Sequence, residues 1–161
     1  MTDETSTATS HRELTVTRVF DAPRESVFRA WTEPAQFATW WGGAGTTTST
    51  QTIRMDVRPG GEWYACMRED ANGAEHPFAG VYHEVTPPER LVMTISEGDR
   101  PDPNREHLLT VVLADVGGQT EMTFTQTGDF GDRADEMLAG LVQGYGAFFT
   151  ALDALLTQDA N

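Results

Sequence analysis

The chain has no lysine, one cysteine, four histidines and no apolar run longer than a strand. Each scarcity closes off a class of function. Without lysine the cations are arginines alone, and 25 Asp plus Glu face 11 basic residues, a formal net charge of −14. Nucleic acid and anionic membranes both require a basic face, so neither is an expected partner. The acidity keeps a chain soluble by self-repulsion and suits either a high-salt cytoplasm or a GC-rich genome; it specifies no chemistry. Cys66 stands alone, which excludes an internal disulfide and a cysteine zinc site. It lies in the apolar strand pattern Trp63-Tyr64-Ala65-Cys66-Met67, the setting of a small structural residue rather than a nucleophile. His11, His76, His83 and His107 are too scattered for metal-ligand spacing, so no metal and no cofactor are expected. No Ser-His-Asp grouping, P-loop or dinucleotide fingerprint is present, and no catalytic residue is assigned. Residues 1–11, MTDETSTATSH, lack the basic start and apolar middle of a signal peptide. They read as a frayed tail, with residues 12–161 as one domain in the cytoplasm.

Against this background Val19–Gly43, VFDAPRESVFRAWTEPAQFATWWGG, stands out. Asp21-Ala22-Pro23 ends a strand-like run and opens a helix at about Arg24–Thr32, because proline fits a helical first turn and aspartate accepts backbone hydrogen bonds there. Glu33-Pro34 restarts a second helix at about Ala35–Trp40. Phe28, Trp31, Phe37, Trp40 and Trp41 supply far more apolar area than a linker needs, as one wall of a container would. Trp31 and Trp40 are expected to pack as structure and Trp41 to face a ligand.

Elsewhere the hydrophobic period is two. Glu13–Phe20, Thr50–Arg58, Glu62–Arg68, Pro77–Val85, Leu91–Ser96, His107–Ala114 and Thr120–Thr127 read as strands, with Gly42–Ser49 as a loop. Pro59-Gly60-Gly61, Ala71-Asn72-Gly73, Pro87-Pro88 and Gly117-Gly118 turn the chain between them. Hairpin after hairpin implies an antiparallel, strongly curved sheet. A long helix follows over roughly Asp132–Leu156, its apolar stripe given by Leu138, Leu141, Tyr145, Phe148, Leu152 and Leu155. Gly140, Gly144 and Gly146 interrupt it, where each costs up to about 1 kcal/mol against alanine. They either admit a close backbone or leave empty volume beside the helix. The fold class is therefore α+β, a helix-grip arrangement in which a curved sheet wraps a C-terminal helix and two short helices close one end.

Several segments together resemble the SRPBCC (START/Bet v1-like) superfamily, in its branch similar to the C-terminal domain of the activator of Hsp90 ATPase. They are Arg18–Trp31 (RVFDAPRESVFRAW), Trp40-Trp41-Gly42, Met55–Trp63 (MDVRPGGEW), Phe78–Val92 (FAGVYHEVTPPERLV), Thr120–Gly128 (TEMTFTQTG) and the terminal helix. The resemblance implies a deep, mostly apolar cavity. It departs from the branch at two places: Gly144-Tyr145 stands where Gly-Trp is usual, and Gln126 where a strand often ends in histidine. A hydrogen-bonding group is kept at both, without an imidazole at Gln126.

The inward parity of the strands nominates Met55, Trp63, Met67, Phe78, Tyr82, Met93, Met122, Phe124 and the polar Gln126 as cavity lining, with Trp41 beside them. Leu141, Tyr145 and Phe148 would face them from the helix. Methionines suit an irregular cavity, and Gln126, Tyr82 and Tyr145 would orient what it holds. His83, the best acid/base candidate, falls on the outer face by alternation from Tyr82. Asp56 and Arg58 read as a structural pair at the Pro59 turn. The leading expectation is a binder of a small apolar or aromatic molecule. A polyketide aromatase/cyclase-like enzyme using the same cavity, and a co-chaperone-like interaction module, are the alternatives; a homodimer is left open.

Overall fold

A computed structural model describes residues 11–43 and 45–159 of the chain; of the expected tail at 1–11, residues 1–10 lie outside them and His11 belongs to the first strand. Strand β1 (His11–Phe20) starts two residues before the expected strand and leads into α1 (Arg24–Thr32) and α2 (Pro34–Trp40). Then come β2 (Thr46–Thr48), a single 3-10 turn (Thr50–Thr52) and β3 (Arg54–Met55). Strands β4 (Glu62–Glu69), β5 (Glu75–Thr86), β6 (Arg90–Glu97), β7 (His107–Val116) and β8 (Gln119–Asp129) precede helix α3 (Ala134–Asp159). The sheet runs in the order β1-β8-β7-β6-β5-β4-β2, every pairing antiparallel, with β3 also pairing with β4. It curls into a half-barrel around α3, the helix-grip arrangement.

The connectivity explains the role of the short helices. β1 and β2 lie at opposite edges of the sheet, so α1 and α2 must carry the chain across its open end. Glu33 serves both: its N–H donates to the Arg29 carbonyl (2.9 Å) and its carbonyl accepts from Phe37 N–H (2.8 Å), ending one helix while opening the next. Pro34 then occupies the first turn, where a missing N–H is harmless. At the start of α1 the capping differs from expectation. Pro23 is the cap, its carbonyl accepting from Ser26 N–H at 3.0 Å, and no side chain caps the helix.

The segment after α2 also differs. The expected strand at Thr50–Arg58 contains only the two-residue β3, because Ser49 caps the 3-10 turn through the Gln51 N–H and breaks the extended run. The expected loop at Gly42–Ser49 instead contributes β2. Asp56 and Arg58 do pair, both carboxylate oxygens within 2.9 Å of Nε.

The core is dominated by rings. Trp31 stacks on Phe124 (centroids 5.9 Å, 20°) and meets Trp40 edge-on (4.7 Å, 68°), while Phe149 of α3 closes on Trp31, Trp40 and Phe124. The Trp40 indole N–H donates to the Ala30 carbonyl at 2.9 Å, pinning α2 to α1. Gly80 permits the same device in the sheet. The Trp63 indole passes over it to donate to the Thr94 carbonyl (2.9 Å), and a Cβ at Gly80 would strike both.

By length and composition the stretch Ala134–Thr157 would pass for a membrane span. Here Tyr145, Phe149, Leu152 and Leu156 of it are core, and Arg18 on β1 donates to the Gly146 carbonyl (3.1 Å) and to the Thr150 hydroxyl (3.1 Å).

Candidate functional site

Helix α3 carries two apolar stripes, offset by one residue. Tyr145, Phe149, Leu152 and Leu156 are buried at 5 % exposure or less. Met137, Leu141, Gly144 and Phe148 repeat with the same four-three-four spacing and line a cavity of about 650 Å³ between helix and sheet. Between residues 134 and 144 only Ala134 is buried; Met137 and Val142 are half exposed. The first half of α3 thus stands off the sheet, tied by the Arg12–Asp135 ion pair (2.8 Å), and the hollow lies beneath it. Gly140, Gly144 and Gly146 belong to the second of the two readings above, since a Cβ at each would meet no atom within 4 Å.

Of the nominated residues, Trp41, Met67, Phe78 and Gln126 line this cavity from α2 and the sheet, and Leu141, Tyr145 and Phe148 from α3. The other six do not. Trp63, Tyr82, Met93, Met122 and Phe124 are sealed in the packed core at 0–1 % exposure, and Met55 packs partly buried against it. The reason is position along each strand. On β4 Trp63 is core and Met67 lines the cavity; on β5 the same division falls between Tyr82 and Phe78; on β8, between Phe124 and Gln126. Alternation identifies the inward face, and a boundary crossing every strand separates its filled part from its hollow part.

That boundary also exposes residues that alternation could have supplied. Leu109, Val111 and Leu113 face inward on β7, so His107 shares their parity and lies on the hollow side, paired with Ile95. Its ring lies against Phe130 (4.5 Å) and over Gly128, where any Cβ would collide with it. His83, by contrast, is exposed on the outer face. Phe130, Met137 and the rim residues Glu97, Asn104, Arg105, Glu106 and Asp129 sit in connections or at element ends, outside the reach of a strand pattern.

The polar wall is one hydrogen-bonded chain. Tyr145 Oη lies 2.6 Å from Gln126 Oε1, Gln126 Nε2 lies 2.7 Å from His107 Nδ1, and His107 Nε2 lies 3.0 Å from the Asp129 carbonyl. A carbonyl only accepts, so in the neutral ring Nε2 carries the proton and Nδ1 is the acceptor. Gln126 must then turn its amide N–H to His107 and its oxygen to Tyr145, whose hydroxyl donates. The two positions at which the chain departs from the branch pattern are thus bonded to each other. Burial raises the pKa of the Tyr145 phenol, and burial with the nearby Asp56 charge raises that of Tyr82. Both stay protonated at neutral pH. The Tyr82 hydroxyl and the Trp41 indole N–H are buried with no hydrogen-bond partner among the described residues.

Chemically the wall can orient a guest but holds little that could take a proton, because both His107 nitrogens are engaged. Among the described residues no cluster of three His, Cys, Asp or Glu side chains could hold a metal.

The comparisons with known proteins agree with this architecture. A protein of Nitrosomonas europaea is 28 % identical, with 92 % of this chain matched to 96 % of that one at a TM-score of 0.79. A protein of Chromobacterium violaceum (24 % identity, 89 % and 96 % coverage, TM-score 0.77) shares the fold. So does the AHSA1 protein of Silicibacter pomeroyi (22 % identity, 92 % and 99 % coverage, TM-score 0.76). No curated protein matches the chain. Residues 21–157 match the family described as Activator of Hsp90 ATPase homolog 1-like protein, and with most of its length covered the chain belongs to that family.

Proposed function

We propose that the protein binds a small, largely apolar molecule in the cavity between the sheet and α3. One observation carries this reading: a hollow of about 650 Å³ persists beside a core whose large side chains are otherwise fully buried. Interiors normally close to crystal-like density, and a cavity of several hundred Å³ lined by aromatic and aliphatic groups with a few fixed polar atoms is the usual form of a small-molecule site. Trp41, Phe78 and Phe148 give the guest ring faces, and the Tyr145–Gln126–His107 chain gives it polar atoms fixed in place. A cyclase would need a base free to accept a proton in the cavity. The double engagement of His107 favours binding over that alternative.

The test pairs native mass spectrometry of the purified protein with calorimetric titration of aromatic probes. Leu141→Trp, which places a large ring in the hollow from the unanchored half of α3, should abolish binding with little change in melting temperature. Failure of every apolar probe to bind the wild-type protein, or undiminished binding to Leu141→Trp, would overturn the reading.

A further inference from the structure

We infer that the guest carries a positive charge: an aromatic or aliphatic body in the cavity and a protonated amine toward its rim. This rests on the binding reading above and narrows it to a chemical class.

The rim is built from the ends of β6 and β8 and the connections beside them, residues 97, 104–106 and 129–131. Glu97, Glu106 and Asp129 reach the cavity itself, and none of their carboxylates is in an ion pair among the described residues. Among the described residues Arg105 is the one arginine lining it, exposed and adjacent to Glu106, and deeper in no arginine lines the wall. A carboxylate-headed guest would therefore lose its hydration against like charge, with a single exposed arginine to offset the loss.

The polar wall points the same way. Its hydrogen-bonded chain uses the Tyr145 O–H toward Gln126 and the His107 N–H toward Asp129. Tyr145 Oη and Gln126 Oε1 keep acceptor lone pairs for a donor-only ammonium group, while the donors left over, the second Gln126 Nε2–H and the unpartnered Trp41 indole N–H, are uncharged and offer a carboxylate no counter-ion. Trp41, Phe78, Phe130 and Phe148 add aromatic rings to the lining, and a ring face turned to the guest would attract a cation through its quadrupole. The net charge of −14 extends the preference outward, enriching cations near the mouth before contact.

Three probes with one shared ring system decide it: naphthylethylamine, naphthylethanol and naphthylacetate, titrated by calorimetry at low and at high salt. The amine should bind about tenfold or more tighter than the acid at low ionic strength, with the alcohol between, and salt should narrow the gap. In the Glu97→Gln/Glu106→Gln protein, at two exposed or half-exposed sites, the amine-to-acid ratio should fall severalfold. If the alcohol binds while the acid matches or exceeds the amine, the charge assignment is wrong and the binding reading survives. An unchanged ratio in the double variant also overturns it, because the rim would then not be its source. If none of the three binds, the alcohol included, the binding reading fails and this inference fails with it.

Discussion

Replacing Gly140 by alanine isolates the energetic consequence of holding the first half of α3 away from the sheet. Residue 140 lies inside a helix of 26 residues, its φ is negative, and a methyl group there would meet no atom within 4 Å. No contact is gained or lost, so the change reduces to intrinsic helix preference, in which glycine is about 1 kcal/mol worse than alanine. For a chain of this size, 1 kcal/mol corresponds to about 2–4 °C in melting temperature. Gly140→Ala should therefore raise the midpoint by roughly that amount, read by circular dichroism or calorimetry under reversible conditions. Gly144→Ala should stabilise comparably but also places its methyl group in the cavity wall, so it alone of the two should alter probe affinity. If Gly140→Ala is neutral or destabilising, a neighbour lies closer to residue 140 in solution than the structure places it, and the first half of α3 does not stand free there.

Four further outcomes test other parts of the argument. Tyr145→Phe strips Gln126 Oε1 of its donor and should cost about 1–3 kcal/mol in chemical denaturation, whereas Tyr145→Phe with Gln126→Leu should recover part of that loss, since a buried polar group left alone is worse than none. Gly80→Ala drives a Cβ into the Thr94 carbonyl and the Trp63 indole and should cost about 3 kcal/mol or more through overpacking and a broken buried hydrogen bond. Alkali should destabilise the fold. Tyr82 and Tyr145 have folded-state pKa values raised above the ordinary 10.0, so above that pH the unfolded chain releases protons that the folded one retains. Stability is fully present below about pH 10 and declines above it by about 1.4 kcal/mol per unit for each buried tyrosine, and Tyr145→Phe should make the slope shallower. Arg18→Met removes the donors to Gly146 and Thr150, and faster amide exchange in α3 relative to β8 would show that β1 tethers the helix.

The sheet, the two short helices and the long helix were legible because their signals are local. Period-two runs between glycine turns, Pro34 in a helical first turn and the aromatic spacing of α1 each have one dominant structural solution. Thr50–Arg58 misled because its alternation is genuine while Ser49 caps a 3-10 turn that consumes half of it. The site was legible only as a face. Trp63 and Met67 share parity, as do Phe124 and Gln126, yet one of each pair is sealed and the other lines the hollow. What separates them is where Trp31, Trp40 and Phe149 end, a three-dimensional boundary set by elements far apart in sequence. His107 is within reach of parity, two residues before the inward-facing Leu109 on the same strand. The acidic rim is not, since Glu97, Glu106 and Asp129 converge only after β6, β7 and β8 have paired.

The two stripes of α3 also bear on why the hollow persists. A helix rises 1.5 Å per residue, so a stripe that shifts by one position turns about 100° and trades one set of neighbours for another. Below Tyr145 the helix meets Trp31, Phe124 and β1, and large side chains lock it down. Above Tyr145 the stripe that faces the sheet reads Met137, Leu141, Gly144, with Gly140 beside it. Leucine or phenylalanine at 144 would supply enough volume to begin filling the space, and helix preference would welcome the change. The chain instead keeps glycines that cost about 1 kcal/mol each, half-exposed Met137 and Val142, and the Arg12–Asp135 ion pair as a tether. Forgone stability of that size, confined to one half of one helix and adjoining a polar wall with fixed hydrogen bonds, is the pattern expected where function needs the volume. The Tyr145–Gln126–His107 chain along its edge would give the proposed guest fixed polar partners in that volume.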